Sequence, residues 1–240
     1  MSRKSFKPGA LTAPLPPVMV TVGDMEEYNV LTIGWTGILA THPPRTYISV
    51  RPERYSFELL EKTGEFVINL AKASQARIVD YVGIYTGKKV DKFRECSLTP
   101  VKSEKVNTPT ILECPLSLEC RVCDVIPMGT HHVFVADIVS VSCDEEILDS
   151  EGRICFDRAD LLAYAHGEYF ALGEKVGKFG FSTNREEKNV VNGGKKQTVK
   201  KTDVGKKATK DKSAKEEKKP FYYGIKGVKG KKRTGGGKRK

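Results

Sequence analysis

The chain has 240 residues, 39% of them hydrophobic and 30% charged, with a formal net charge of +11. That charge is unevenly placed: up to Asn184 there are 20 Lys and Arg against 24 Asp and Glu, a net of −4, whereas from Arg185 onward there are 21 against 6, a net of +15. No apolar run reaches the roughly 18 residues of a membrane span, prolines interrupt the apolar part of MSRKSFKPGALTAPLPPVMV where a signal peptide would be continuous, and six scattered cysteines in a chain long enough to build a core need no disulfide framework. The expectation is a cytoplasmic protein whose basicity belongs to its C-terminal part and not to its folded body.

In chain order, residues 1–17 are Pro-rich and are expected to run extended over the surface. From Val18 the pattern changes to short β-branched runs between turn residues. VMVTVG, NVLTIGW, TYISV, FVINL, SLECRVCDVI, HHVFVADIVSVSC and RICF all read as strands. Two segments read as helices: SFELLEKTG (56–64), with Ser56 as the N-cap and Gly64 past its end, and SQARIVDYVGI (74–84), with Ser74 as the cap. A strand-dominated body with short helices predicts a closed or nearly closed antiparallel barrel. After Phe181 apolar periodicity stops, and residues 185–240 read as a Lys/Gly-rich disordered basic tail following a domain at 1–184.

The chemistry is concentrated in residues 29–70. Thr32, Thr36, Ser49 and Ser56 are small hydroxyl donors at strand ends, and Arg51 and Arg54 lie three apart beside the start of a helix. A helix N-terminus with a hydroxyl and two guanidiniums suits a phosphate, although each feature alone is more often a cap or a solvated face. Trp35, the one tryptophan, stands between Gly34 and Gly37, which would let a flat ligand approach the backbone. Cys120-x-x-Cys123 falls inside a strand, where residues three apart point to opposite faces, so neither a redox pair nor a metal site is expected from it.

Taken as an ordered set, N-V-L-T-I-G-W-T-G, H-P-P, I-S-V-R-P-E-R-Y-S, F-V-I-N-L, then V-D-K-F (90–93), G-T-H-H-V-F-V-A-D-I (129–138) and Y-F-A-L-G-E (169–174), the sequence resembles the flavoredoxin branch of the flavin-reductase-like proteins over about residues 12–180. It departs from them at Ala136, where the family often has glycine. The resemblance implies an FMN-binding split β-barrel, usually a homodimer. It implies Thr32, Ile33, Trp35 and Thr36 along the isoalloxazine and ribityl chain, and Ser49, Val50 and Arg51 along the ribityl-phosphate. Arg54, Tyr55 and Ser56 would lie at the phosphate with Lys92 as a further cation, and His131 near the flavin face where a donor could stack. The implied activity is an FMN-dependent oxidoreductase, hydride reaching flavin N5 from NAD(P)H or electrons coming from a protein donor, with the hard chemistry supplied by the cofactor. The alternative is a non-enzymatic binding protein in which the barrel is a scaffold and the basic tail, with Phe221, Tyr222 and Tyr223, engages RNA or another polyanion.

Overall fold

The computed structural model describes residues 2–183, so the basic tail lies outside the described residues. The compact unit runs through Glu174; residues 175–183 belong to a second unit, of which a short 3-10 turn at Phe181–Thr183 is described. No helix among the described residues is long and apolar enough to cross a membrane.

Eleven strands are present among the described residues: β1 (Val18–Gly23), β2 (Tyr28–Ile33), β3 (Thr36–Thr41), β4 (Pro44–Val50), β5 (Glu65–Leu70), β6 (Pro100–Val101), β7 (Thr110–Ile111), β8 (Leu116–Met128), β9 (His131–Cys143), β10 (Leu162–Ala165) and β11 (Glu168–Ala171). The helices are α1 (Tyr55–Thr63), α2 (Ala76–Ile84) and the single turn α3 (Lys92–Glu95). Seven strands form one antiparallel sheet in the order β2-β1-β5-β8-β9-β4-β3. Its two end strands, β2 and β3, are joined in sequence by Gly34-Trp35 alone. Two residues cannot span an open seven-stranded sheet, about 4.8 Å per strand, so the sheet must curl until its ends meet. It closes into a barrel in which β2 lies against β4, while the Ser49 N–H, donating to the Trp35 carbonyl at 3.0 Å, prolongs the β3–β4 ladder by one residue past Thr36 and Ile48.

Alternation along the strands builds the interior. Val18, Val20 and Val22 of β1, Ile48 and Val50 of β4, Phe66 and Ile68 of β5, and Phe134 of β9 share one core with Phe57 and Leu60 of α1. β1 is buried on both faces, because Met19 turns outward into a second cluster with Val79 and Val82 of α2 and Phe93 of α3. Each fully buried aliphatic or aromatic chain contributes about 1.5–3 kcal/mol, so these two layers fix α1 and α2 on the barrel. Gly64 ends α1 in the left-handed region (φ 63°), its N–H donating to the Leu60 carbonyl at 2.9 Å, a conformation in which a side chain would be strained.

The strand-dominated split barrel matches the sequence expectation, with local differences. Arg54, not Ser56, is the N-cap of α1; Ser56 is the second helical residue and is buried. Gln75, not Ser74, precedes α2, since a 3-10 turn at Ala73–Gln75 takes up Ser74. RICF forms no strand: Ile154 makes an isolated bridge to Leu148, and Phe156–Arg158 is a 3-10 turn. The Asp149 carboxylate, accepting from the N–H groups of Glu151 and Arg153 at 2.9 Å, folds that segment into a tight turn instead. The cysteines of the described residues are all free thiols; Cys120 is buried and Cys123 is exposed.

Candidate functional site

A cleft of about 300 Å³ opens at the barrel seam. One wall is the β2–β3 link and the end of β4: Thr32, Ile33, Gly34, Trp35, then Ser49, Val50 and Arg51, with Arg54 beyond. The other wall is Asp80, Gly83 and Ile84 of α2, together with Tyr164 and Tyr169 of the β10–β11 hairpin and Leu15 of the N-terminal segment. Leu15 and Tyr164 exchange backbone hydrogen bonds, each 2.8 Å. Tyr169 Oη donates to the Asp80 carboxylate at 3.2 Å, and burial, then the charge of Asp80, push the Tyr169 phenol up to about 12, so it stays a donor. The Thr32 hydroxyl donates to the Val79 carbonyl, which ties β2 to α2 at the base of the cleft.

Polar side chains gather at its two ends. At one end Arg54 also borders a small recess of about 10 Å³, shared with Asn29, Tyr55, Ser56, Gly87 and Lys92. Lys92 is buried, 4% exposed, and donates from Nζ to the carbonyls of Val30 at 2.7 Å and Val82 at 2.8 Å. Burial, reinforced by the nearby Arg54 guanidinium, lowers it to about 8. Asn29 Nδ2 donates to Ser56 Oγ at 2.8 Å, and Arg54 Nη1 donates to the Gly83 carbonyl at 3.0 Å. Any side chain at Gly87 would run into the Asn29 carboxamide and the Tyr55 ring, so the backbone passes closely here because the residue is glycine. The first N–H groups of α1, which have no partners within the helix, start at the same place. Two cations converging beside a helix N-terminus is an arrangement that an anion would stabilise.

At the other end stand Trp35 and His131, their rings 4.7 Å apart and inclined by 42°. Nδ1 of His131 lies 2.9 Å from Thr130 Oγ1. Burial, then the positive charge of Arg51, lowers the His131 pKa below its ordinary value, and Glu53 opposes the shift more weakly, so the neutral imidazole is favoured. His132 points the opposite way, its ring 5.0 Å from Phe57.

Eight of the expected site residues therefore line the cleft: Thr32, Ile33, Trp35, Ser49, Val50, Arg51, Arg54 and His131. Tyr55, Ser56 and Lys92 reach the adjoining recess instead. Thr36 lies in neither; its hydroxyl donates to the Tyr47 carbonyl at 2.6 Å. The wall formed by Leu15, Asp80, Ile84, Tyr164 and Tyr169 was not expected from local pattern. Its one sequence signal was the Y-F-A-L-G-E segment, which carries Tyr169 but gives it no role.

Residues 11–173 match the family model described as flavin reductase like domain. An uncharacterized protein of Archaeoglobus fulgidus is 30% identical over 167 residues, 70% of this chain and 87% of the relative. Among solved structures, the chain resembles a flavoredoxin of Desulfovibrio vulgaris (Miyazaki F) with a TM-score of 0.71 and 30% identity, covering 76% of this chain and 100% of that one. It also resembles a flavoredoxin from Methanosarcina acetivorans with a TM-score of 0.67 and 25% identity, covering 74% of this chain and 95% of that one.

Proposed function

This chain belongs to the flavin reductase like domain family and is a flavin-binding protein of the oxidoreductase type; from that premise we propose that it binds FMN in the seam cleft and passes electrons from NAD(P)H or a reduced protein to a flavin or other acceptor. The observation that carries this reading is that the cleft and the cationic recess adjoin, sharing Leu31 and Arg54 as lining. A flat ring system on the Ile33–Gly34–Trp35 link and the Ser49–Val50 strand end would leave its chain running toward Arg54, and a terminal phosphate at Arg54, Lys92 and the start of α1. The recess measures only about 10 Å³ with the Arg54 side chain held on the Gly83 carbonyl; the donor set of Arg54, Lys92 and Ser56 suits a phosphate, which would need that exposed side chain to swing aside.

Bound FMN supplies hydride acceptance and release. The protein supplies position and charge: Lys92 and Arg54 neutralise the phosphate, Thr32 and Val79 hold the cleft open between β2 and α2, and Trp35 with neutral His131 forms the lip against which a planar reactant stacks. The absorbance spectrum of the purified or FMN-reconstituted protein is the direct test. One FMN per chain, bleached by NADH or NADPH in stopped flow, is expected. A protein that stays colourless in micromolar FMN sinks the reading.

The homodimer belongs to the same proposal. Trp35, Ser49, Val133 and Ile126 lie in one cross-strand row, and Gly37, Tyr47 and Val135 lie in the next on the same outward face. With Trp35 43% and Ile126 42% exposed, this face presents apolar surface beside the cleft, which a second copy would cover.

A further inference from the structure

The cleft carries one more cation than the phosphate needs. Arg54 and Lys92 meet at the recess with Ser56 and the start of α1, whereas Arg51 borders the cleft without reaching that recess. Its guanidinium makes no hydrogen bond or ion pair among the described residues and is exposed. It stands close enough to His131 for its charge to be felt there, against the weaker opposing field of Glu53. Val50 pairs with His132 in the β4–β9 register, so Arg51, the next residue, follows beside His131 of the Trp35–His131 lip. A guanidinium beside two aromatic rings in contact, at the open end of a cleft whose other end already holds two cations, is placed to receive a second negative group.

We propose that Arg51 is a specificity-determining residue: it takes the phosphate or carboxylate of the second reactant while that reactant's planar part lies against Trp35 and His131. The proposal rests on the flavin reading above. The anionic group has two chemical sources, the phosphates of a pyridine dinucleotide or the carboxylate of a small aromatic acceptor. The cation is the same for both. Asp80, the carboxylate on the opposite wall, is occupied by Tyr169 and does not compete for Arg51.

The test uses the full chain loaded with FMN, as wild type, Arg51→Ala, Arg51→Lys and Arg54→Ala. The backbone carbonyl of Arg51, which accepts from Arg54 N–H, is kept in each Arg51 variant. Flavin titrations come first: Arg51→Ala is expected to keep the preference for FMN over riboflavin, and Arg54→Ala to reduce it. Anaerobic reduction is then followed with NADPH and with the uncharged donor 1-methyl-1,4-dihydronicotinamide, and flavin spectral shifts are titrated with benzoate and with benzamide. Arg51→Ala is expected to weaken NADPH or benzoate by about tenfold, the loss of one exposed charge-assisted hydrogen bond. The neutral partner of the pair should be unaffected, Arg51→Lys should recover part of the loss, and the difference should shrink as salt rises. Loss of the NADPH arm alone identifies the dinucleotide as the source, and loss of the benzoate arm alone identifies the carboxylate. The proposal is overturned if neither anionic probe weakens, if the neutral probes weaken equally, if wild type binds neither anion below millimolar concentration, or if Arg51→Ala abolishes the preference for FMN over riboflavin. Absence of flavin binding in wild type sinks the underlying reading instead, so the two failures are distinguishable.

Discussion

The buried lysine makes the phosphate assignment testable by pH. Burial lowers Lys92 from 10.5 to about 8, so holding it charged in the ligand-free recess costs about 3 kcal/mol at neutral pH. The sign follows from proton counting: between about pH 8 and 10.5 the unfolded chain keeps the lysine proton and the folded chain has lost it, so the ligand-free protein gains stability as pH rises through that window. A phosphate dianion beside Nζ acts in the opposite direction, restoring the charged form. FMN binding above pH 8 must then take up a proton, and the FMN Kd should rise by up to tenfold per pH unit from about 8, to a limit of about 2.5 decades if the phosphate restores the whole shift. Riboflavin, which lacks the phosphate, should show a nearly flat profile over the same range. Lys92→Met should flatten the FMN profile and weaken FMN at pH 7. Its effect on stability should be small, because removing a buried charge offsets the two carbonyls, Val30 and Val82, left without their donor. Flavin fluorescence titrations from about pH 7 to 9.5 measure the rising part of the FMN profile, and thermal unfolding measures the stability. Parallel FMN and riboflavin profiles, or an FMN profile that stays flat, would refute the assignment of Lys92 to the phosphate.

Gly87→Ala places a methyl against the Asn29 carboxamide and the Tyr55 ring; it should weaken FMN more than riboflavin and destabilise the fold by about 1–3 kcal/mol, read by thermal unfolding. Ile126→Glu puts a charge on the exposed apolar face that carries Trp35 and should convert a dimer to a monomer by light scattering, whereas a wild-type monomer at high concentration would remove the dimer proposal outright. Deleting residues 185–240 removes a net charge of +15; FMN affinity and melting temperature should stay nearly unchanged, while any salt-dependent affinity for RNA, the alternative function, should fall.

The strands were legible where burial is periodic over a long stretch. VMVTVG and HHVFVADIVSVSC coincide with β1 and β9 from first residue to last, and FVINL and SLECRVCDVI lie within β5 and β8. β3 was not legible, because TGILAT is an edge strand with Ile38 and Leu39 exposed and a bulge between Ile38 and Ala40. An exposed edge strand broken by a bulge lacks the inside–outside alternation that marks a strand. β10 and β11, four residues each, are too short to carry a period. Of the site, the residues from Thr32 to Arg54 were readable because one stretch of chain delivers them. The opposite wall was not, since Asp80 and Tyr169 meet across 89 positions and no local pattern encodes that meeting. Nothing in the local sequence signals that Lys92 is buried against β2 and α2, a tertiary fact; the family resemblance alone singled the residue out, as a cation.

Topology also explains why the site lies where it does. A seven-stranded sheet whose end strands are consecutive in sequence must bend sharply at the link between them, and here that link is Gly34-Trp35. The β1–β2 ladder stops at Ile33 and the β3–β4 ladder takes up again at Trp35, whose carbonyl accepts from Ser49 N–H, so Gly34 lies between the two. Backbone groups released from a ladder in this way need partners, and a ligand edge can supply them where a side chain could not approach. The same bend brings the end of β4 alongside, and β4 runs directly into the start of α1 through Arg51 and Arg54. A seam with free backbone groups, a helix start and two guanidiniums spaced three apart are thus consequences of one connection. The order of charges then follows from the chain: Arg54, nearer the helix, serves the recess with Lys92, and Arg51, nearer the strand, is left at the lip with Trp35 and His131. On this argument, exchanging the two arginines' roles would require β4 to end one turn later. An insertion between Val50 and Arg54 should therefore disturb phosphate and second-reactant binding together, while substitution of either arginine disturbs one of them.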